Sequence, residues 1–195
     1  RNGVDLVRFT PSEKLPEPRR LLFIGSFAHR PNVLALEWFL TEVFPKLDAV
    51  TLHVIAGNHH QRFWDLQHPG VEVEGFVSDV RPAYRKAAIV IAPLVASAGT
   101  NIKILEAMAM GKAIVSTPAG IHGLDLKDGH DLRVTESADA MAASIQELLA
   151  SPDQRRTLER QARVTAEQTY GWDAIAKVQK KLYLELVGSS AEGGL

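Results

Sequence analysis

Between Arg20 and Val134, short apolar runs that end in glycine or proline alternate with segments whose apolar residues recur every three or four positions. Few fold classes accommodate that rhythm. Leu21-Leu22-Phe23-Ile24-Gly25 has strand length and a glycine stop. Val33, Leu36, Leu40, Val43, Phe44 and Leu47 then mark one face of a single helix, with Asn32 as its N-cap behind Pro31. The spacing next predicts a strand over 52–56 closed by Gly57, a short helix over 59–67 and a strand over Val71–Glu74 closed by Gly75. A helix over 79–86 and a strand over Ile89–Ala92, stopped by Pro93, follow. The helix over 102–110 ends at Gly111 as a C′ residue, and strands are expected at Ala113–Ser116 and 132–134. Strands joined through helices by short connections predict an α/β fold, a doubly wound parallel sheet with helices on both faces. From Ala138 onward the period is helical alone, so a helical C-terminal segment completes the expectation. Met108 and Met110 read as core residues, Trp38 and Trp64 as half-buried, and Trp172 as the tryptophan placed for an interface.

Residues 1–19 read as an interdomain linker, because Asn2-Gly3 and three prolines offer turns without a sustained period. Residues 20–188 form the expected domain, and 189–195 a disordered tail. The chain starts without Met, and the expectation is that it begins inside a longer protein. Of its 195 residues, 46% are hydrophobic and 23% charged, the balance of a folded domain with a wet surface. With 22 basic against 23 acidic side chains there is no basic excess of the kind nucleic-acid binding uses. The absence of cysteine excludes disulfides and thiolate metal sites. It also permits a reducing compartment. No apolar run reaches the roughly 18 residues of a membrane span. A cytoplasmic location is therefore expected.

In open parallel sheets, ligands sit beyond the carboxyl ends of the strands, where the strand order reverses. The most informative such loop is Ala96-Ser97-Ala98-Gly99-Thr100-Asn101, which runs straight into the helix carrying Lys103 and Glu106. Free N–H groups at that helix start, with the positive end of its dipole, make an anion site. Gly99 leaves room for a phosphate, and Lys103 adds a full positive charge. Glu106 could accept hydrogen bonds from both ribose hydroxyls, as an acidic residue does in dinucleotide folds. The same residues also read as a capping glycine followed by a solvent-facing Lys–Glu pair worth about 0.2–0.5 kcal/mol. Spacing alone leaves both readings open. His59 and His60 read as surface histidines, with only His53 nearby and no evident carboxylate partner. His122 lies on a loop expected to face a ligand.

Gly99 to Lys112, with Glu106-Ala107-Met108-Ala109-Met110-Gly111-Lys112 at its centre and the strand Ala113–Ser116 after it, resembles the signature of a known family. This is the large retaining, group 1 (family 4) group of glycosyltransferases, which has two facing Rossmann domains, the GT-B fold. Asn2-Gly3-Val4-Asp5 with Phe9 and Pro11 is similar to that family's interdomain linker. Leu22-Phe23-Ile24-Gly25, Val73-Glu74-Gly75-Phe76-Val77-Ser78-Asp79 and Tyr170-Gly171-Trp172 resemble further landmarks of its C-terminal, donor-binding half. The resemblance implies that Glu106 holds the donor ribose, that Gly99, Thr100 and Asn101 cradle the diphosphate, and that Phe76 and Val77 read the nucleobase through their backbone. Gly25, Ser26, Arg30 and Lys103 complete the expected donor site. The implied reaction transfers a sugar from a nucleoside-diphosphate sugar to a glycan or lipid-linked acceptor with retention. It needs no cofactor and no required metal. The implied partners are the sugar nucleotide and an N-terminal acceptor domain, through which the protein would associate peripherally with a membrane; no nucleic acid is implied.

Departures from the family pattern are specific. Ala98 stands where the family has the first of two glutamates, which is expected to contact the transferred sugar, so no catalytic residue is assigned. Ser26 stands where an arginine is usual, leaving His29 and Arg30 as the nearby basic groups. Lys103 compensates for that loss in this reading. These variants resemble a subgroup associated with exopolysaccharide assembly. Two alternatives remain: a nucleotide-sugar epimerase or hydrolase of the same architecture, and a nucleotide-sugar-binding module whose catalysis has decayed.

Overall fold

The computed structural model describes residues 2–96 and 101–192, with side chains through Glu185. Among the described residues six strands form one sheet in the order β3-β2-β1-β4-β5-β6. They are β1 (Arg20–Ile24), β2 (Thr51–Ile55), β3 (Val71–Glu74), β4 (Ile89–Ala92), β5 (Ala113–Ser116) and β6 (Arg133–Val134). Every pairing is parallel. The central strands β4 and β5 are buried on both faces, which explains their unbroken apolar runs. At the edge, β3 alternates half-buried valines with exposed glutamates. The order reverses between β1 and β4, so the expected doubly wound, Rossmann-like sheet is the one observed.

Helices α1 (Arg30–Trp38) and α4 (Ala138–Ala150) cover one face. Helices α2 (Arg81–Lys86) and α3 (Ile102–Ala109) cover the other, and α5 (Pro152–Thr165) gives Leu158 to the first core and Ala162 to the second. The last helix, α6, spans Trp172–Glu192. Gly111, at φ 61°, closes α3 as a C′ residue. The following Lys112 is buried and donates to the carbonyls of Ala87 (2.9 Å) and Arg85 (3.4 Å). The lysine of the Gly-Lys pair therefore caps the end of α2, where a positive charge meets the negative helix terminus.

Two local expectations are corrected. The single helix expected from Val33 to Leu47 is regular only to Trp38, then widens into a π-turn over Phe39–Val43 and tightens into a 3-10 turn over Phe44–Lys46. Pro45 is the physical reason: it has no N–H to donate, and its ring crowds the carbonyl four residues back. The helix expected over 59–67 is one 3-10 turn, His60–Arg62, entered through His59 at φ 52°. Trp64 then folds back onto Phe27, with ring centroids 5.3 Å apart.

Residues 2–11 are held down at several points. The N–H of Val4 donates to the carbonyl of Tyr170 (2.9 Å), and Val4 and Phe9 are buried. Arg163 reaches the carbonyls of Phe9 (2.8 Å) and Ala109 (2.5 Å).

Candidate functional site at the strand reversal

The reversal between β1 and β4 brings two helix starts together at the carboxyl edge of the sheet. The chain leaves β1 through Gly25 and Ser26 and enters α1 with His29 as N-cap. Asn32, expected to be that N-cap, is instead inside the first turn and buried. Its amide has been drawn to other work: Nδ2 donates to the carbonyl of Ser26 (3.0 Å), and Oδ1 accepts from Nζ of Lys103 (3.0 Å). Gly25 is required here for space, since a β-carbon would lie 2.7 Å from Cγ of Asn32. On the other side, Asn101 caps α3 in extended backbone, and its Nδ2 donates to the carbonyl of Gly120 (2.6 Å).

Lys103 is the electrostatic centre of this edge. Its ammonium lies 4.9 Å from the ring centroid of Phe23, and among the described residues no carboxylate pairs with it. Burial lowers its pKa from 10.5 to about 8, because little compensates for the water it has lost. Lys103 and Glu106 do not pair with each other, so the solvent-facing pair admitted by their spacing is not what the fold makes of them. Glu106 is half-buried, and its Oε2 accepts from the hydroxyl of Tyr84 at 3.0 Å. Burial raises the Glu106 pKa, opposed by the Tyr84 hydrogen bond and by the charge of Arg8. A half-buried cation with no carboxylate partner among the described residues, two helix N-termini and a carboxylate one turn along α3 suit a ligand with an anionic part and hydroxyls.

Arg30 opens α1 with its side chain exposed. Phe76, 66% exposed, and Val77 border a hollow of about 640 Å3 on the β2–β3 side, together with Arg20, His53, Glu72 and Glu74. There Arg20 pairs with Glu72 (2.6 Å) and His53 with Glu74 (3.0 Å). Asp79, at the rim, is held down to about 2 by the guanidinium and backbone N–H of Arg81. His122 is exposed on the loop after β5. Ala98, Gly99 and Thr100 lie outside the described residues. Sequence reasoning missed Tyr84 and the role of Asn32. A buried tyrosine needs a partner for its hydroxyl, but no spacing rule ties it to a residue on another helix.

Several known proteins share this fold. The 195-residue chain matches the family model described as "Glycosyl transferases group 1" over residues 18–151. No curated protein sequence matches it. The sucrose-phosphate synthase of Thermosynechococcus elongatus superposes with a TM-score of 0.76 at 22% identity, covering 96% of this chain and 52% of that one. HepE of Anabaena, crystallised in complex with UDP, gives 0.74 at 16% identity, covering 95% and 56%. The C-terminal domain of a group 1 family protein from Francisella tularensis gives 0.64 at 19%, covering 87% of this chain and 100% of that one. This chain thus spans about half the length of the first two proteins. No helix among the described residues is long and apolar enough to cross a membrane. A family match over most of the chain, on a parallel sheet with the reversal in the expected place, identifies the protein as a member of the group 1 glycosyltransferases.

Proposed function

We propose that this chain binds a nucleoside-diphosphate sugar at the β1/β4 reversal and acts as the donor half of a cytoplasmic, retaining glycosyltransferase. The observation that carries the reading is the half-buried ammonium of Lys103, held by Asn32 at the starts of α1 and α3 with no carboxylate paired to it among the described residues. A diphosphate would supply the missing counter-charge. As the bond between sugar and diphosphate breaks, negative charge grows on the leaving group, and fixed N–H dipoles with Lys103 stabilise it without a required metal. Glu106 accepts from the ribose hydroxyls, and Phe76 and Val77 meet the base. A further domain holds the acceptor and any peripheral membrane contact. HepE was crystallised with UDP, which makes UDP the first nucleotide to test.

The test is thermal melting of the chain with UDP, GDP and ADP, followed by calorimetric titration. One nucleoside diphosphate is expected to raise the melting temperature. Glu106→Ala is expected to weaken its binding roughly tenfold, the loss of one hydrogen bond to a charged acceptor. No shift with any of the three nucleotides at millimolar concentration would overturn the proposal. Ala98 separates binding from turnover: donor binding without sugar transfer when acceptor domain and acceptor are supplied would favour the decayed module.

A further inference from the structure

Tyr84 is fully buried in the middle of α2, and its hydroxyl ends between two oxygens of α3. These are the carbonyl of Lys103 (3.1 Å) and Oε2 of Glu106 (3.0 Å). One hydroxyl carries one hydrogen, and the carboxylate is the stronger acceptor of the two. The ring cannot swing away. It is enclosed on all sides, with Phe9 of the N-terminal segment standing edge-on to it at a centroid distance of 6.4 Å and 84° between planes. Oε1 of Glu106 has no hydrogen-bond partner among the described residues.

We infer that Tyr84 is a positioning residue for the ribose: its hydroxyl holds one oxygen of Glu106 and leaves the other presented to the vicinal hydroxyls of the nucleotide. The inference rests on the assignment of Glu106 to the ribose. A free glutamate side chain must give up the freedom of several rotatable bonds to bind a ligand, and one already anchored gives up much less. The anchor also works against burial, which otherwise favours the protonated acid, a poorer acceptor for two hydroxyls. Nothing in this role requires Tyr84 to touch the ligand. Its effect should therefore show on the part of the nucleotide that Glu106 meets and nowhere else.

The test compares UDP with 2′,3′-dideoxy-UDP by calorimetry on the wild-type chain, Tyr84→Phe, Glu106→Ala and the double variant. Wild type is expected to prefer the ribonucleotide about tenfold, and Tyr84→Phe to cut that preference roughly threefold to tenfold, as for one lost hydrogen bond. The dideoxy affinity should stay unchanged. Glu106→Ala should abolish the preference, and adding Tyr84→Phe should then change nothing. Equal weakening of both nucleotides by Tyr84→Phe, or no change in the preference, overturns the positioning role while Glu106→Ala still upholds the ribose assignment. A wild type without any preference removes both. Should Tyr84→Phe not fold, Glu106→Gln serves: its amide oxygen keeps the Tyr84 bond and turns the NH2 to the ribose. Full retention of the preference there overturns the role.

Discussion

Replacing Lys103 with methionine is expected to lower nucleoside diphosphate affinity by about tenfold to a hundredfold, the worth of a charge-assisted contact in a partly dry site. Arg30→Ala should cost less than about fivefold, because an exposed charge is well screened. A larger loss from Arg30 would move the diphosphate contact to the start of α1. The pH profile supplies an independent check. In the free protein Lys103 loses its proton near pH 8; a bound diphosphate favours the ammonium and raises that value. Affinity should therefore be level between about pH 7, where the diphosphate is ionised, and pH 8, and fall above that towards about tenfold per pH unit. The methionine variant should be flat over the same range. Folding follows the same shift. The unfolded chain keeps the proton up to about 10.5 while the folded chain releases it near 8, so the unfolded state binds more protons in that window. Wild-type stability relative to the variant should rise between those two values.

Gly120→Ala is expected to destabilise the fold by roughly 2–3 kcal/mol, the cost of overpacking a filled site, and to lower the melting temperature by about 5–10 °C. The added β-carbon would collide with Oγ of Ser116 and lie 2.7 Å from the carbonyl of Ala92. Those two groups are bonded to each other (3.1 Å) and stitch the end of β5 to the end of β4. The carbonyl of Gly120 also anchors Asn101, so the N-cap of α3 should move and nucleotide binding weaken with it. Gly75→Ala is the control: its β-carbon would meet nothing closer than 3.4 Å, and its effect should stay within about 0.5 kcal/mol. Equal melting temperatures for the two variants would disprove the steric account.

The sheet was legible because buried parallel strands leave continuous apolar runs, as in Ile89-Val90-Ile91-Ala92, and glycines mark where they stop. Helix interiors were less so. Pro45 is plain in the sequence, yet the flanking apolar residues keep helical spacing through the distorted turns, so periodicity overstated the regular length. Asn32 sits where local preference predicts a cap, but its side chain serves Ser26 and Lys103, a partner 71 residues away. Tyr84 carried no local signal at all, since its meaning lies in a hydroxyl bonded across 22 residues. Residues 2–11 read as linker rather than packed structure for the same reason: their backbone partners are Tyr170 and Arg163, far along the chain.

The fastening of residues 2–11 sets an order of assembly. Phe9 and Arg163 are 154 residues apart in sequence, and Val4 waits for Tyr170. During synthesis the chain can pair β1 through β5 as they emerge, whereas residues 2–11 have nothing to dock on until Arg163 and Tyr170 arrive. Joining Phe9 to Arg163 closes a loop of 154 residues, and the entropy of that closure is met only after the sheet exists. Phe9 forms one wall around Tyr84, so the surroundings of Glu106 are completed at the end of folding. A truncated or nascent chain can hold a finished sheet and still lack a finished nucleotide site.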